Sequence, residues 1–216
     1  MKHLIYTILI LIFTNITFVS TTFANPSNSK YFQPFLKDVE TYINSLKKIS
    51  GTFTQKSSNG ATDSGKFYIN KPGKMRLEYK SPILLIADGS SIVYEDKQLD
   101  QISYIPLDAN PASIILNGNI TLTGKNPSVK IKQIEDKDTT REITLSTPNE
   151  KQAGTITLIF DKKPISLHGW KVRDAQGITT LVTLSDIKPE TNFSENLFKI
   201  TRTKGIGNKK SKSKYY

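Results

Sequence analysis

The stretch Lys74-Met75-Arg76-Leu77-Glu78-Tyr79-Lys80 alternates without a break between apolar and charged residues. Side chains of a β-strand repeat every two residues, so Met75, Leu77 and Tyr79 share one face and every charge the other. One face of this strand is therefore large and apolar, and the opposite face is wet. Ile92 and Tyr94 pair in the same way, whereas Ile83-Leu84-Leu85-Ile86 is apolar on both faces and should be covered on both. Turn signals bracket these runs at Asn59-Gly60, Lys71-Pro72-Gly73, Asp88-Gly89 and Gln176-Gly177.

Outward from this strand, short β-rich runs recur at the spacing of an antiparallel sheet or barrel. We place strands near Gly51 to Lys56, Gly65 to Asn70, Lys74 to Tyr79, Ile83 to Ala87, Ser91 to Glu95 and Gln98 to Ile105. A second series lies near Val129 to Glu135, Arg141 to Ser146, Thr155 to Phe160, Leu167 to Arg173 and Thr179 to Ile187. Before them, Phe32, Phe35, Leu36, Val39, Tyr42, Ile43, Leu46 and Ile49 fall at steps of three and four, which predicts an amphipathic helix from Lys30 to Ile49. Asn28 or Ser29 would cap it, Pro34 fits only in its first turn, and Gly51 would end it. Between the two strand series, residues Asp108 to Gly118 have the cap, the early Pro and the closing Gly of a short helix. The reading is a mainly β fold: a curved sheet with one apolar concave side, covered at least partly by two helices. A plain packed core would give the same alternation, so the pattern alone leaves a ligand cavity and a filled core both open.

A chain of 216 residues with 37% hydrophobic and 23% charged residues suits one globular domain and excludes a fully disordered or collagen-like chain. Lys2 and His3 precede an apolar run from Leu4 to Val19, followed by Ser20-Thr21-Thr22-Phe23-Ala24. That is the pattern of a secretory signal peptide, residues 1–24, cut after Ala24. Thr7, Thr14, Asn15 and Thr17 interrupt the run and speak against an uncleaved anchor. With no Cys anywhere, the core must hold without disulfides, and anchoring through an N-terminal lipidated cysteine is excluded. The globular domain would span 25–200. Residues 201–216 carry Arg202, Lys204, Lys209, Lys210, Lys212 and Lys214 and no acid, the composition of a basic, disordered tail. An exported protein of this kind is not expected to meet nucleic acid.

Catalytic constellations are thin. His168 is the one histidine beyond the signal segment, so no two-His zinc motif exists, and there is no cysteine nucleophile. No Gly-x-Ser-x-Gly elbow occurs. Gly60 to Phe67 nearly matches a phosphate-binding loop, but Phe67 stands where a hydroxyl must hold magnesium. We therefore expect no catalysis, metal or cofactor, with a hydrolase using His168 the weakest alternative.

Several stretches, in this order, carry a resemblance. They are Gly51-Thr52-Phe53-Thr54-Gln55-Lys56, Gly65-Lys66-Phe67, Lys71 to Tyr79, Ala87-Asp88-Gly89, and Gly169-Trp170-Lys171-Val172-Arg173-Asp174 followed by Gly177. Over roughly residues 30 to 200 the chain resembles the LolA family of periplasmic lipoprotein carriers. The resemblance implies an unclosed antiparallel β-barrel with an N-terminal helix, a short helical lid over the concave face, and lipoprotein acyl chains bound inside. Carried over by position, Phe53, Met75, Leu77 and Tyr79 would line the cavity, with Phe67, Ile92 and Tyr94 on the same face. Ile114, Ile115 and Leu116 would belong to the lid. Where the family often has an arginine that bonds the lid backbone, this sequence has Lys71, which lacks the planar fork of donors. The implied partners are acylated lipoproteins, an ATP-driven inner-membrane releasing transporter and an outer-membrane acceptor, for a monomeric protein. A lipid-sensing or structural half-barrel is the alternative from a different class.

Overall fold

Pro34 falls in the first turn of α1 (Gln33–Ser45), where its missing N–H has no intrahelical partner to lose. The computed structural model describes residues 30–124, 127–146, 154–174 and 176–200. The signal segment, the expected caps Asn28 and Ser29, and the tail 201–216 lie outside the described residues. Phe35, Leu36, Val39 and Ile43 form the buried stripe of α1, as the spacing requires.

The helix stops at Ser45 rather than at Ile49, and Gly51 does not end it. β1 (Lys48–Ser57) has already begun, and Ile49 sits in its ladder opposite Ile69. Ile49 fits the helical period with Leu46 and the strand period with Gly51 and Phe53, and the pairing of β1 with a neighbour on each side decides between them.

With β1, the remaining ten strands match the eleven expected runs with shifted ends: β2 (Thr62–Asn70), β3 (Lys74–Tyr79), β4 (Ile83–Asp88), β5 (Ser91–Asp96), β6 (Gln101–Pro106), β7 (Lys130–Asp136), β8 (Thr140–Ser146), β9 (Thr155–Lys162), β10 (Ile165–Arg173) and β11 (Thr179–Pro189). β6 starts at Gln101, not Gln98, because the Asp96 carboxylate takes the N–H groups of Gln98 and Leu99 into a turn.

All eleven strands form one antiparallel sheet in the order β6-β5-β4-β3-β2-β1-β11-β10-β9-β8-β7. No ladder joins the edge strands β6 and β7, so the barrel is unclosed. Curvature comes from strand glycines. A Cβ on Gly65 would fall onto the Glu78 carbonyl, and one on Gly169 onto the Val182 carbonyl.

One topological fact dictates the cover. β6 and β7 are consecutive in sequence yet lie on opposite edges. Residues 107–129 therefore link the two edges, and the described ones pack on the concave side through Ile114, Ile115, Leu116, Ile120 and Leu122. This connection carries a 3₁₀ turn (Leu107–Ala109) and α2 (Ser113–Leu116), two short pieces where the sequence suggested one helix. Asn110 separates them, its side chain accepting the Ala112 N–H.

Side chains of α1 and of this connection meet the concave face in one main core. A second, smaller cluster lies on the outer face, where Phe198 covers Leu84 and Ile86. That accounts for a β4 sequence apolar on both sides. Among the described residues, no helix is long and apolar enough to cross a membrane.

Candidate functional site: an apolar hollow under a connecting segment

Directly opposed residues in an antiparallel ladder share a face, so the register fixes what the concave side presents. One row runs Ile49, Ile69, Met75, Ala87 and Ile92 across β1 to β5. The next runs Gly51, Phe67, Leu77, Leu85 and Tyr94. A third holds Phe53, Gly65 and Tyr79. The seven residues singled out from sequence thus lie on one continuous face. Phe53, Phe67, Met75, Leu77 and Ile92 are buried, Tyr79 is half-buried, and Tyr94 is 39% exposed at the rim.

The hollow is filled by the chain's own cover. Ile114, Ile115 and Leu116 of α2 are buried, as are Ile120 and Leu122 on the return limb beyond it. Both packing partners contribute: α1 from the helix before β1, and the connection between the sheet edges.

Polar bonds hold this cover at named points. The Gly73 N–H donates to the Leu116 carbonyl at 2.8 Å, tying the end of α2 to the β2–β3 turn. On the return limb, Asn44 of α1 exchanges two bonds with the Ile120 backbone. Glu40 Oε2 accepts from the N–H groups of Leu122 at 2.7 Å and Thr123 at 3.1 Å. Lys47 Nζ donates to the Gly118 carbonyl at 3.1 Å and to Asn119 Oδ1 at 3.0 Å. Sequence reasoning missed Glu40, Asn44 and Lys47. Their signal was a polar series at steps of four and three along α1 and just past its end, which reads as an ordinary solvated face.

Lys71, the expected latch, reaches elsewhere. Its Nζ donates to the Ile43 carbonyl of α1 at 3.1 Å, not to the lid backbone. A cation there faces the negative end of the helix. The site is buried, and burial first, then the charge of Lys47, lowers the Lys71 pKa to about 8. Arg76 points away from the hollow, as the alternation requires, to Glu78 and the Leu197 carbonyl.

His168 lies on β10 with Nδ1 3.1 Å from Asp161 Oδ1, and Ser166 donates its hydroxyl to the other oxygen of Asp161. Serine and histidine share a carboxylate here, so the serine proton goes to the aspartate and not to an imidazole base.

The family model described as "Outer membrane lipoprotein carrier protein LolA" matches residues 44–201. The chain belongs to the LolA family. It is 30% identical over 181 residues to an outer-membrane lipoprotein carrier protein of Cupriavidus pinatubonensis, covering 77% of this chain and 83% of that one. A protein of the same description from Neisseria meningitidis serogroup C is 26% identical, covering 78% of this chain and 83% of its relative. Among solved structures, a LolA superfamily protein from Nitrosomonas europaea superposes with a TM-score of 0.45 at 8% identity, covering 76% of this chain and 97% of the other.

For this LolA family member, the arrangement has a plain chemical meaning. The hollow offers hydrocarbon contact and, along its floor, few groups that could polarise a bond. The described residues of its cover, 107–124 and 127–129, lie outside every strand ladder. Ile114, Ile115 and Leu116 share one core with Phe67, Met75 and Leu77.

Proposed function

We propose that this chain is a periplasmic carrier that shelters the acyl chains of lipoproteins on their way from the inner to the outer membrane. The observation that carries the reading is the continuous apolar face of β1 to β5, closed by a segment that belongs to no strand. The membership of the chain in the LolA family, and the names of its relatives, support the same cargo.

The energetics explain why such a carrier needs a cover. A buried methylene gains roughly 0.8 kcal/mol, so one 16-carbon chain removed from water is worth about 12 kcal/mol. Free passage between membranes is negligible at that cost. A carrier must therefore supply greasy surface and yet bind less tightly than the acceptor membrane. Ile114, Ile115 and Leu116 meet both needs: they hide an aggregation-prone patch in the empty state and compete with the cargo for it.

On this reading Phe53, Phe67, Met75, Leu77, Tyr79, Ile92 and Tyr94 line the cargo site. Residues 1–24 direct export across the inner membrane and are cut off after Ala24. Opening has a cost that an ATP-driven releasing transporter in the inner membrane would supply, and the monomer then hands its cargo to an outer-membrane acceptor.

Mass spectrometry of the protein isolated from the periplasm without detergent tests this directly. Diacylated or triacylated peptides should co-purify in amounts comparable to the protein. Recovery of the protein free of acylated species, from cells whose lipoproteins are being exported, would count against the carrier.

A further inference from the structure

The apolar rows of the hollow stop at one end of β1 to β3. Phe53, Gly65 and Tyr79 form the last of them, and the next row outward places Gln55 opposite Asp63. Ser81, just past β3, donates its hydroxyl to Asp63 Oδ2. On its other side Gln55 stands opposite Val182 of β11, which is buried in the main core, so Gln55 faces the hollow. The floor thus changes from hydrocarbon to polar within one residue pair.

Tyr79 bridges the change. Its ring lies edge-on to Phe53 with centroids 5.0 Å apart, and its hydroxyl donates to Gln55 Oε1 at 2.8 Å. Burial, then the charge of Asp63, pushes the Tyr79 phenol well above its ordinary value, so the group stays a donor. With its oxygen engaged by Tyr79, Gln55 turns its amide nitrogen the other way. Among the described residues nothing accepts from that nitrogen.

A ligand complementary to this boundary has an apolar tail along the rows and a neutral carbonyl oxygen at the Gln55 amide. It carries no negative charge beside Asp63. We infer that Gln55, oriented by Tyr79, is a subsite for the ester carbonyl joining an acyl chain to its glycerol, and that Asp63 rejects free fatty-acid carboxylates. The inference rests on the carrier reading, since it presupposes acyl chains in the hollow.

Two synthetic lipopeptides of equal chain length separate the two ideas. One carries an ester-linked diacylglyceryl group, the other its ether-linked dialkyl counterpart, and each competes with a fluorescent apolar probe for the protein. The ester form should bind about three- to tenfold tighter, the worth of one net hydrogen bond. In Gln55→Leu the ester-to-ether ratio should fall to about one. Gln55→Glu, which keeps an acceptor for Tyr79 but removes the amide donor, should do the same and serves if the leucine variant does not fold. In Asp63→Asn, affinity for palmitate should rise at least threefold. A parent that binds both lipopeptides equally, a ratio that survives both Gln55 substitutions, or palmitate affinity unmoved by Asp63→Asn each overturns the assignment. A parent that binds neither lipopeptide removes the carrier reading as well.

Discussion

Asn44 and Ile120 hold each other in both directions: Asn44 Nδ2 donates to the Ile120 carbonyl at 2.8 Å, and the Ile120 N–H donates to Asn44 Oδ1 at 2.8 Å. The side-chain amide thus acts as a neighbouring strand would, satisfying both backbone groups of a residue that has no ladder of its own. Glu40 of α1 and Lys47, two residues past its end, bind the limb on either side of Ile120. Helix α1 is therefore a rail for the return limb, while α2 is tied at Gly73.

Replacing Asn44 by Ala leaves two buried backbone groups of Ile120 without partners, at about 1–3 kcal/mol each. The limb should loosen locally before the sheet does. Hydrogen exchange is the direct readout: the amides of Ile120 and Leu122 should exchange at least tenfold faster, with β1 and β11 amides little changed. An apolar fluorescent probe should also enter more readily. Unaltered exchange at Ile120 would show that the limb is held by Glu40 and Lys47 without help from Asn44.

Lys71 gives the protein a pH dependence of definite sign. Its folded pKa of about 8 lies below the ordinary 10.5, so between these values the unfolded chain holds a proton that the folded one has lost. Stability then rises with pH, by roughly 1.4 kcal/mol per unit and by about 3 kcal/mol at most. Below about 8 both states are charged and the cost of burying the ammonium is fully present. Above about 10 the trend reverses, because burial raises the folded pKa values of Tyr68 and Tyr79 and the unfolded chain ionises first. Urea midpoints at pH 7.5 and 9.5 should therefore increase in the parent and stay level in Lys71→Met. A level parent, or a rise that persists in the variant, would rule out Lys71 as the source.

The sheet was legible because a period of two leaves little choice: Met75, Leu77 and Tyr79 cannot share a wet face with Arg76 and Glu78. The double-sided apolar run of β4 was likewise readable, although the identity of its outer cover, Phe198, was not. What escaped were contacts that span long stretches of chain. Asn44 and Ile120 are 76 positions apart, and Arg76 and Leu197 are 121 apart, distances over which one sequence carries no periodic trace. Lys71 stood out only through the family resemblance, and its destination depends on where α1 ends. That end is hard to read because Ile49 is in step with Leu46 as a helix and with Gly51 and Phe53 as a strand. The short helix of the cover was legible in its cap, Pro and Gly signals, whereas the path of the connection follows from β6 and β7 standing at opposite edges.

The strongest check on the competing-cover idea is a pair of truncations with opposite signs. Leu116 of the lid and Phe67 of the floor are both fully or almost fully buried in the same core. Truncating either to Ala should lower stability by about 2–5 kcal/mol, so unfolding alone does not distinguish them. Cargo affinity does. Leu116 contributes to the closed state that must be given up, so Leu116→Ala should raise affinity for an acylated peptide or apolar probe tenfold or more, a shift that needs about 1.4 kcal/mol of the lost packing. Phe67 faces the hollow in the closed and open forms alike, so Phe67→Ala removes surface that the cargo would use and should lower affinity. Titration of the two variants with the same probe gives the answer. If both lose affinity, the lid is part of the binding surface and not its competitor. If neither changes, acyl chains do not enter beneath α2.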